Sequence, residues 1–306
     1  MTEPWQTRAS QFHPYVVDSL EKLPDALQPG ALAALPEGDH FVRALVVPAD
    51  YRPRGEGVSA FQPEQALIYT DHGVLHVQAP LEGEAAPQPT YLKPESLLLL
   101  RSSHILLYGR LKLLGAVHGQ LAHIEMEFNA IGWRLMDAEW RRLVTQAIGV
   151  PELSPEEVEA ANRRNMERVR EVPSKFAEGL RRYGLYTGES LLGVVFQEGV
   201  WTESLSFFNH QLTPNTLLAL TNASVLILAE NLALVRKSEQ YGLIITRIPR
   251  QVVAALQSVT KDSLQNITFY LARGGATAQR QLLLEPNAAQ EWLELWTKHA
   301  SQAQPG

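Results

Sequence analysis

The stretch that decides the fold is Leu217 to Asn231, "LLALTNASVLILAEN". It is apolar enough for a buried span, yet Thr221 and Asn222 interrupt its middle. A second stretch, "QALIYTDHGVLHVQA" from Gln65 to Ala79, breaks at the same place. Asx residues tolerate a positive φ and hydrogen-bond their own backbone, which is tight-turn chemistry. Each stretch therefore reads as a β-hairpin whose turn is the polar pair.

Set at an offset of 151 residues, the stretches align Leu67 with Leu218, Thr70 with Thr221, Asp71 with Asn222, and Val74–Leu75 with Val225–Leu226. The correspondence continues downstream. "YLKPESLLLLRS" parallels "TRIPRQVVAALQS", with Pro94 against Pro249 at a strand start, where a missing donor is tolerated. "HIEMEF" (His123–Phe128) parallels "NITFYL" (Asn266–Leu271), and both alternate with the period of a half-buried strand. Each half closes on an amphipathic helix: Met136, Trp140, Leu143, Val144 and Ala147 in one, Ala289, Trp292, Leu293 and Trp296 in the other. These tryptophans read as core packing of a terminal helix.

Several short strands followed by one apolar-striped helix, stated twice, predict partly open barrels plugged at one end. "LLALTNASVLIL", the strand led by "RIPRQVVAALQSV", "LQNITFYLA" and the Trp-bearing helix together resemble the bacterial pleckstrin-homology-like domain. The resemblance extends more faintly to 41–148 through "LIYTDHGVLHV" and "KPESLLLL". It implies an α+β, mainly β fold: two pleckstrin-homology-like partly open barrels, each closed by a C-terminal helix, joined by a helical linker. The expected divisions are an N-terminal helical extension (1–40), a first lobe (41–150), the linker (151–185) and a second lobe (186–306). Residues 48–63 and 79–90, rich in Pro and Gly, read as long surface loops.

In the linker, Ser154 with Glu157 forms a capping box, Pro155 sits at the first helical position, and Leu153 with Val158 can staple the entry. Apolar residues from Val158 through Val169 and Phe176 to Tyr183 make one helical face, and Pro173 predicts a kink or a split. Arg163, Arg164, Arg168 and Arg170 read as a solvated face paired with nearby glutamates. The first 40 residues are expected to form one or two short helices covering an exposed edge or mouth of the first lobe.

Composition narrows the function classes. The 306 residues contain no cysteine, which excludes disulfides, thiolate metal sites and cysteine nucleophiles. The net charge is −6 and no section is strongly basic, so a nucleic-acid partner is not expected. No signal peptide and no transmembrane helix are expected, and the expected location is cytoplasmic. No constellation of nucleophile, acid and base assembles: "GESLLG" misses the esterase elbow, and "GEGVSA" lacks the strand–turn–helix setting of a dinucleotide fingerprint. His72 and His76 fall on the hairpin rather than on a zincin helix. His123, Glu125 and Glu127 share a strand face that a metal-assisted hydrolase could use, but they read first as the polar side of that strand. No cofactor, metal or catalytic residue is expected.

Inositol-phosphate binding, the ligand class the resemblance implies, needs uncompensated base in the loop between the first two strands. "FQEGVWTES" carries Glu198 and Glu203 and no base, while Arg52 and Arg54 are offset by Asp50 and Glu56. The leading expectation is a non-enzymatic adaptor acting through protein–protein contacts or self-association, at an open sheet edge or a groove beside the final helix. Trp201 and Phe207 are the aromatic anchors it offers; Arg236, Lys237, Arg247 and Arg250 are the electrostatic handle. The alternatives are peripheral membrane or lipid-headgroup binding and the metal-assisted hydrolase.

Overall fold

The computed structural model describes residues 13–54, 58–81, 85, 87–105, 108–150, 153–201, 211–230 and 242–300. The chain is mainly β. Its first half begins with β1 (Tyr15–Val17) and α1 (Gln28–Ala34). β2 (Phe41–Val47), a separate hairpin of β3 (Asp50–Arg54) and β4 (Val58–Gln62), then β5 (Gln65–Thr70), β6 (Val74–Gln78) and β7 (Thr90–Leu92) follow. The meander β8 (Leu97–Ile105), β9 (Tyr108–Val117) and β10 (Gln120–Asn129) leads into α2 (Ile131–Leu135) and α3 (Asp137–Ile148).

The second half repeats the order. α4 (Pro155–Arg168) and α5 (Ser174–Gly179) precede β11 (Leu191–Gln197), the short pair β12 (Val200–Trp201) and β13 (Gln211–Thr213), and β14 (Thr216–Thr221), β15 (Ser224–Ala229) and β16 (Leu243–Pro249). A second meander, β17 (Val253–Lys261), β18 (Leu264–Arg273) and β19 (Ala276–Leu284), ends in α6 (Pro286–Ala300).

Both hairpins form where the polar pairs predict them. Leu220 faces Val225 across one turn, and Tyr69 faces Val74 across the other. The threonine ending each first strand holds its turn. Thr221 Oγ1 accepts from the Ser224 N–H at 2.7 Å, and Thr70 Oγ1 accepts from the Gly73 N–H at 2.9 Å. Residues 48–63, expected as loop, instead include the β3–β4 hairpin.

The unbroken apolar runs of β14 and β15 have a packing cause. Leu218, Leu220, Val225 and Ile227 face the core shared with β18 and α6. Leu217, Ala219, Leu226 and Leu228 face the other way, onto Val169, Phe176 and Leu180 of the linker. A strand buried on both faces has no polar side to alternate with. The first half does the same: Leu45, Leu67 and Tyr69 face Trp140 of α3, while Val46, Ile68, Leu75 and Val77 face Leu23, Leu27 and Ala31 of the N-terminal segment. Each such residue withdrawn from water contributes roughly 1.5–3 kcal/mol. The N-terminal segment and the linker thus play one role, as lids on equivalent sheet faces. β1 also adds to the sheet edge by pairing with β2.

The linker's start and break follow local chemistry. Ser154 and Glu157 form the reciprocal capping box, and α4 stops before Pro173, which caps α5. Tyr183, placed by periodicity on the buried face, is 41% exposed and stacks on His104 instead.

The strand pairing differs from two separate barrels. Among the described residues none of the sheets closes on itself. β8 pairs antiparallel with β16, from Arg247 opposite Leu100 to Leu243 opposite His104. A single seven-stranded sheet, β10-β9-β8-β16-β15-β14-β11, therefore crosses from one half to the other. β1-β2-β5-β6-β7 and β17-β18-β19 form two further sheets.

Candidate functional site

The polar groups with the tightest geometry are two buried carboxylates in equivalent places. Asp39, just before β2, accepts from Thr70 Oγ1 (2.6 Å), Tyr91 Oη (2.6 Å) and the backbone N–H groups of His40 and His72. Burial alone would raise its pKa, but these hydrogen bonds outweigh burial and hold it below the ordinary carboxylate value. Burial and the bond to Asp39 push the Tyr91 hydroxyl up to about 12. Glu189, just before β11, accepts from Thr221 Oγ1 (2.8 Å), the Tyr186 N–H (3.0 Å) and Arg247 Nη1 (2.7 Å). Each carboxylate thus ties the chain just ahead of a strand, β2 or β11, to the hairpin turn that follows and to a later strand, β7 or β16.

This changes the role of two residues named from sequence. Arg247 is 3% exposed. Its guanidinium lies 4.6 Å from the Tyr186 ring centroid, and it donates to Glu189, Ser224 Oγ and the Gly184 carbonyl. Arg250 is 5% exposed, sits over Trp296 and donates to the His299 carbonyl at the end of α6. A cation at a helix C-terminus is favoured by the exposed carbonyls there. Both are buried internal ties rather than surface groups. Trp201 is half-buried in β12, next to β13. Phe207, Arg236 and Lys237 lie outside the described residues.

Of the candidate metal residues, Glu125 and Glu127 are engaged by charge, His76 is buried, and His72 and His123 are exposed. Glu125 is held by Arg110 and Lys112, and Arg110 also reaches Glu127. Burial would raise the Glu125 pKa, but these two cations bring it below its usual value. His76 lies buried against Gln65 Oε1 at 2.9 Å. Among the described residues no group of three or more His, Cys, Asp or Glu side chains is placed to hold a metal ion.

An open edge and a groove meet at the last helix. Among the described residues β17 is an edge of its sheet, paired with β18, whereas the opposite edge, β19, lies against β10. From Ala255 to Thr260 the edge carries neither charge nor proline, and Val259 is 51% exposed. Natural edges are usually blunted by such devices. Beside it, between the meander and α6, runs an open groove of about 600 Å³ whose walls include Ser258, Gln265, Ala289, Gln290, Leu293 and Thr297. Sequence reasoning pointed to a groove beside the final helix but placed its anchors at Trp201 and Phe207. The exposed alternation of β17 itself was the available signal.

No protein-family model matches the chain, and neither a curated protein nor a solved structure matches it. Among the described residues no helix is long and apolar enough to cross a membrane.

Proposed function

We propose that this chain is a non-enzymatic binding module that takes an extended peptide segment of a partner protein as an added strand on β17, with side chains entering the groove beside α6. The carrying observation is the stretch Ala255–Thr260 of the β17 edge, free of charge and proline, opening onto that groove. Strand addition draws affinity from the unpaired backbone ladder and selectivity from pockets under alternate side chains. The groove walls mix apolar Ala289 and Leu293 with polar Ser258, Gln265 and Gln290. That composition suits a peptide with apolar residues at every second position.

On the same reading, the two halves are pleckstrin-homology-like lobes in tandem. What supports this is the repeated order of a four-strand set, a three-strand meander and a closing helix. The absence of cysteine fits a module working in the cytoplasm.

The test is selection of a displayed random-peptide library on the full chain, followed by titration of the enriched peptide. Val259→Lys places a charge on the edge and Gln290→Trp fills the groove, both at exposed positions where folding is little affected. Each is expected to weaken binding at least about tenfold, or about 1.4 kcal/mol. Failure to enrich any peptide, or an enriched peptide indifferent to both changes, overturns the proposal.

A further inference from the structure

A second cavity lies away from the groove, where the seven-stranded sheet faces the β17-β18-β19 meander. It holds about 370 Å³, within the range of small-molecule sites. Its walls come from both halves of the chain: Arg101 on β8 of the first, and Ile227, Ile244, Asn266, Arg280 and Leu282 of the second. The pairing of β8 with β16 sets Arg101 directly opposite Thr246, inside the cleft. Arg280 occupies the register position opposite Phe269, on the core-facing side of its sheet.

Three observations make this cleft unusual for an internal surface. First, Arg280 Nε and Asn266 Oδ1 are both buried with no hydrogen-bond partner. Buried polar atoms are nearly always satisfied, so each such pair requires an explanation. Second, neither Arg101 nor Arg280 pairs with a carboxylate among the described residues. Burial lowers the pKa of both guanidinium groups; the charge of Arg110 adds to this at Arg101, where Glu125 opposes it, and the charge of Arg101 adds to it at Arg280. Third, the nearby acids are already engaged. Glu230, on the cleft wall, is held by Lys175 at 2.6 Å and Asn215 at 2.7 Å. Glu125, in the recess beyond Arg101, is held by Arg110 and Lys112. Among the described residues, a chain of net charge −6 thus places two arginines without a carboxylate partner at one cavity.

We propose that this cleft binds a small anionic amphiphile, its oxyanion head between Arg101 and Arg280 and its apolar body against Ile227, Ile244 and Leu282. An arginine presents a planar fork of donors that matches a carboxylate or a phosphate, and two of them facing across a cavity provide more donors than one residue can. The apolar wall selects a ligand with a hydrocarbon body over a bare inorganic ion. Because Arg101 and Arg280 come from different halves, the ligand would bridge the two lobes.

The experiment is isothermal titration of the full chain with decanoate, decyl phosphate and inorganic phosphate, the amphiphiles kept below their micellar concentrations. Expected is one-to-one binding of at least one amphiphile, with inorganic phosphate at least about tenfold weaker; the tighter of the two amphiphiles identifies the head group. Arg101→Met and Arg280→Met should each weaken it at least about tenfold, whereas Arg163→Met on the exposed face of α4 should not. Arg280→Met should also raise the Tm of the ligand-free chain, because it removes a buried cation that lacks a partner. Binding of none of the three, preference for inorganic phosphate, or affinity unchanged by both methionine variants overturns the proposal.

Discussion

Arg247 and Glu189 are each at most 4% exposed in their side chains, and each satisfies what the other leaves open. Removing one member of a buried ion pair strands the other charge in a poorly solvating interior. Arg247→Met should therefore destabilise the chain by about 3–5 kcal/mol, read as a lower urea midpoint. Combining it with Glu189→Gln should cost clearly less than the sum of the two single changes. Strictly additive losses would show that the pair is not coupled. The pair was not legible in the sequence for a physical reason. Arginine is usually exposed, so Arg247 read as a surface handle. The acid that draws it inward lies 58 positions earlier, just ahead of β11. Nothing in local periodicity marks that distance.

At the scale of elements, the turn between β5 and β6 depends on a missing side chain. A Cβ on Gly73 would lie 2.6 Å from Tyr91 Oη and 2.7 Å from the Leu92 carbonyl oxygen. The second contact is with backbone, which cannot step aside as a side chain can. Gly73→Ala should open the turn from β7, disturb the Tyr91–Asp39 bond and cost about 1–3 kcal/mol by thermal or urea unfolding. An unchanged stability would mean that the β6–β7 contact is looser than the structure shows. At the start of α4, Ser154→Ala removes one half of the capping box and should cost about 1 kcal/mol in the same assay. These elements are the ones the sequence made legible. Turn chemistry, caps and the alternation of β10 and β18 depend on residues within a few positions of one another. The β3–β4 hairpin escaped notice because its proline and charged residues mask a strand pattern. The lids over the two sheets are half legible: apolar spacing predicts their helices, and an edge role is expected of the N-terminal segment, which β1 does take, but the sheet faces that both lids cover leave no local mark.

The whole molecule is organised by the β8–β16 pairing, which no local signal predicts because backbone ladders carry little side-chain identity and join distant strands. That junction holds one of two buried histidines that make stability depend on pH. His104, on β8, is stacked between Trp133 at 4.6 Å and Tyr183 at 4.1 Å, and burial lowers its pKa to about 4. His76, in the first half, is lowered to about 4 by burial and secondarily by the nearby His123. An unfolded histidine titrates near 6.5, so between roughly pH 6.5 and 4 the unfolded chain binds protons that the folded chain refuses. Stability must then fall as pH falls through that window, by roughly 4 kcal/mol in total between pH 7 and pH 5 for the two together. Asp39 acts in a lower window. Its depressed pKa contributes stability that is fully present above the unfolded value, about 3.9, and is lost only as pH drops further. Urea unfolding from pH 7 to pH 5 isolates the histidines. His76→Gln should remove about half of the slope, and the double variant with His104→Gln should leave the profile nearly flat. A slope that survives in the double variant would assign the acid sensitivity to groups other than these two.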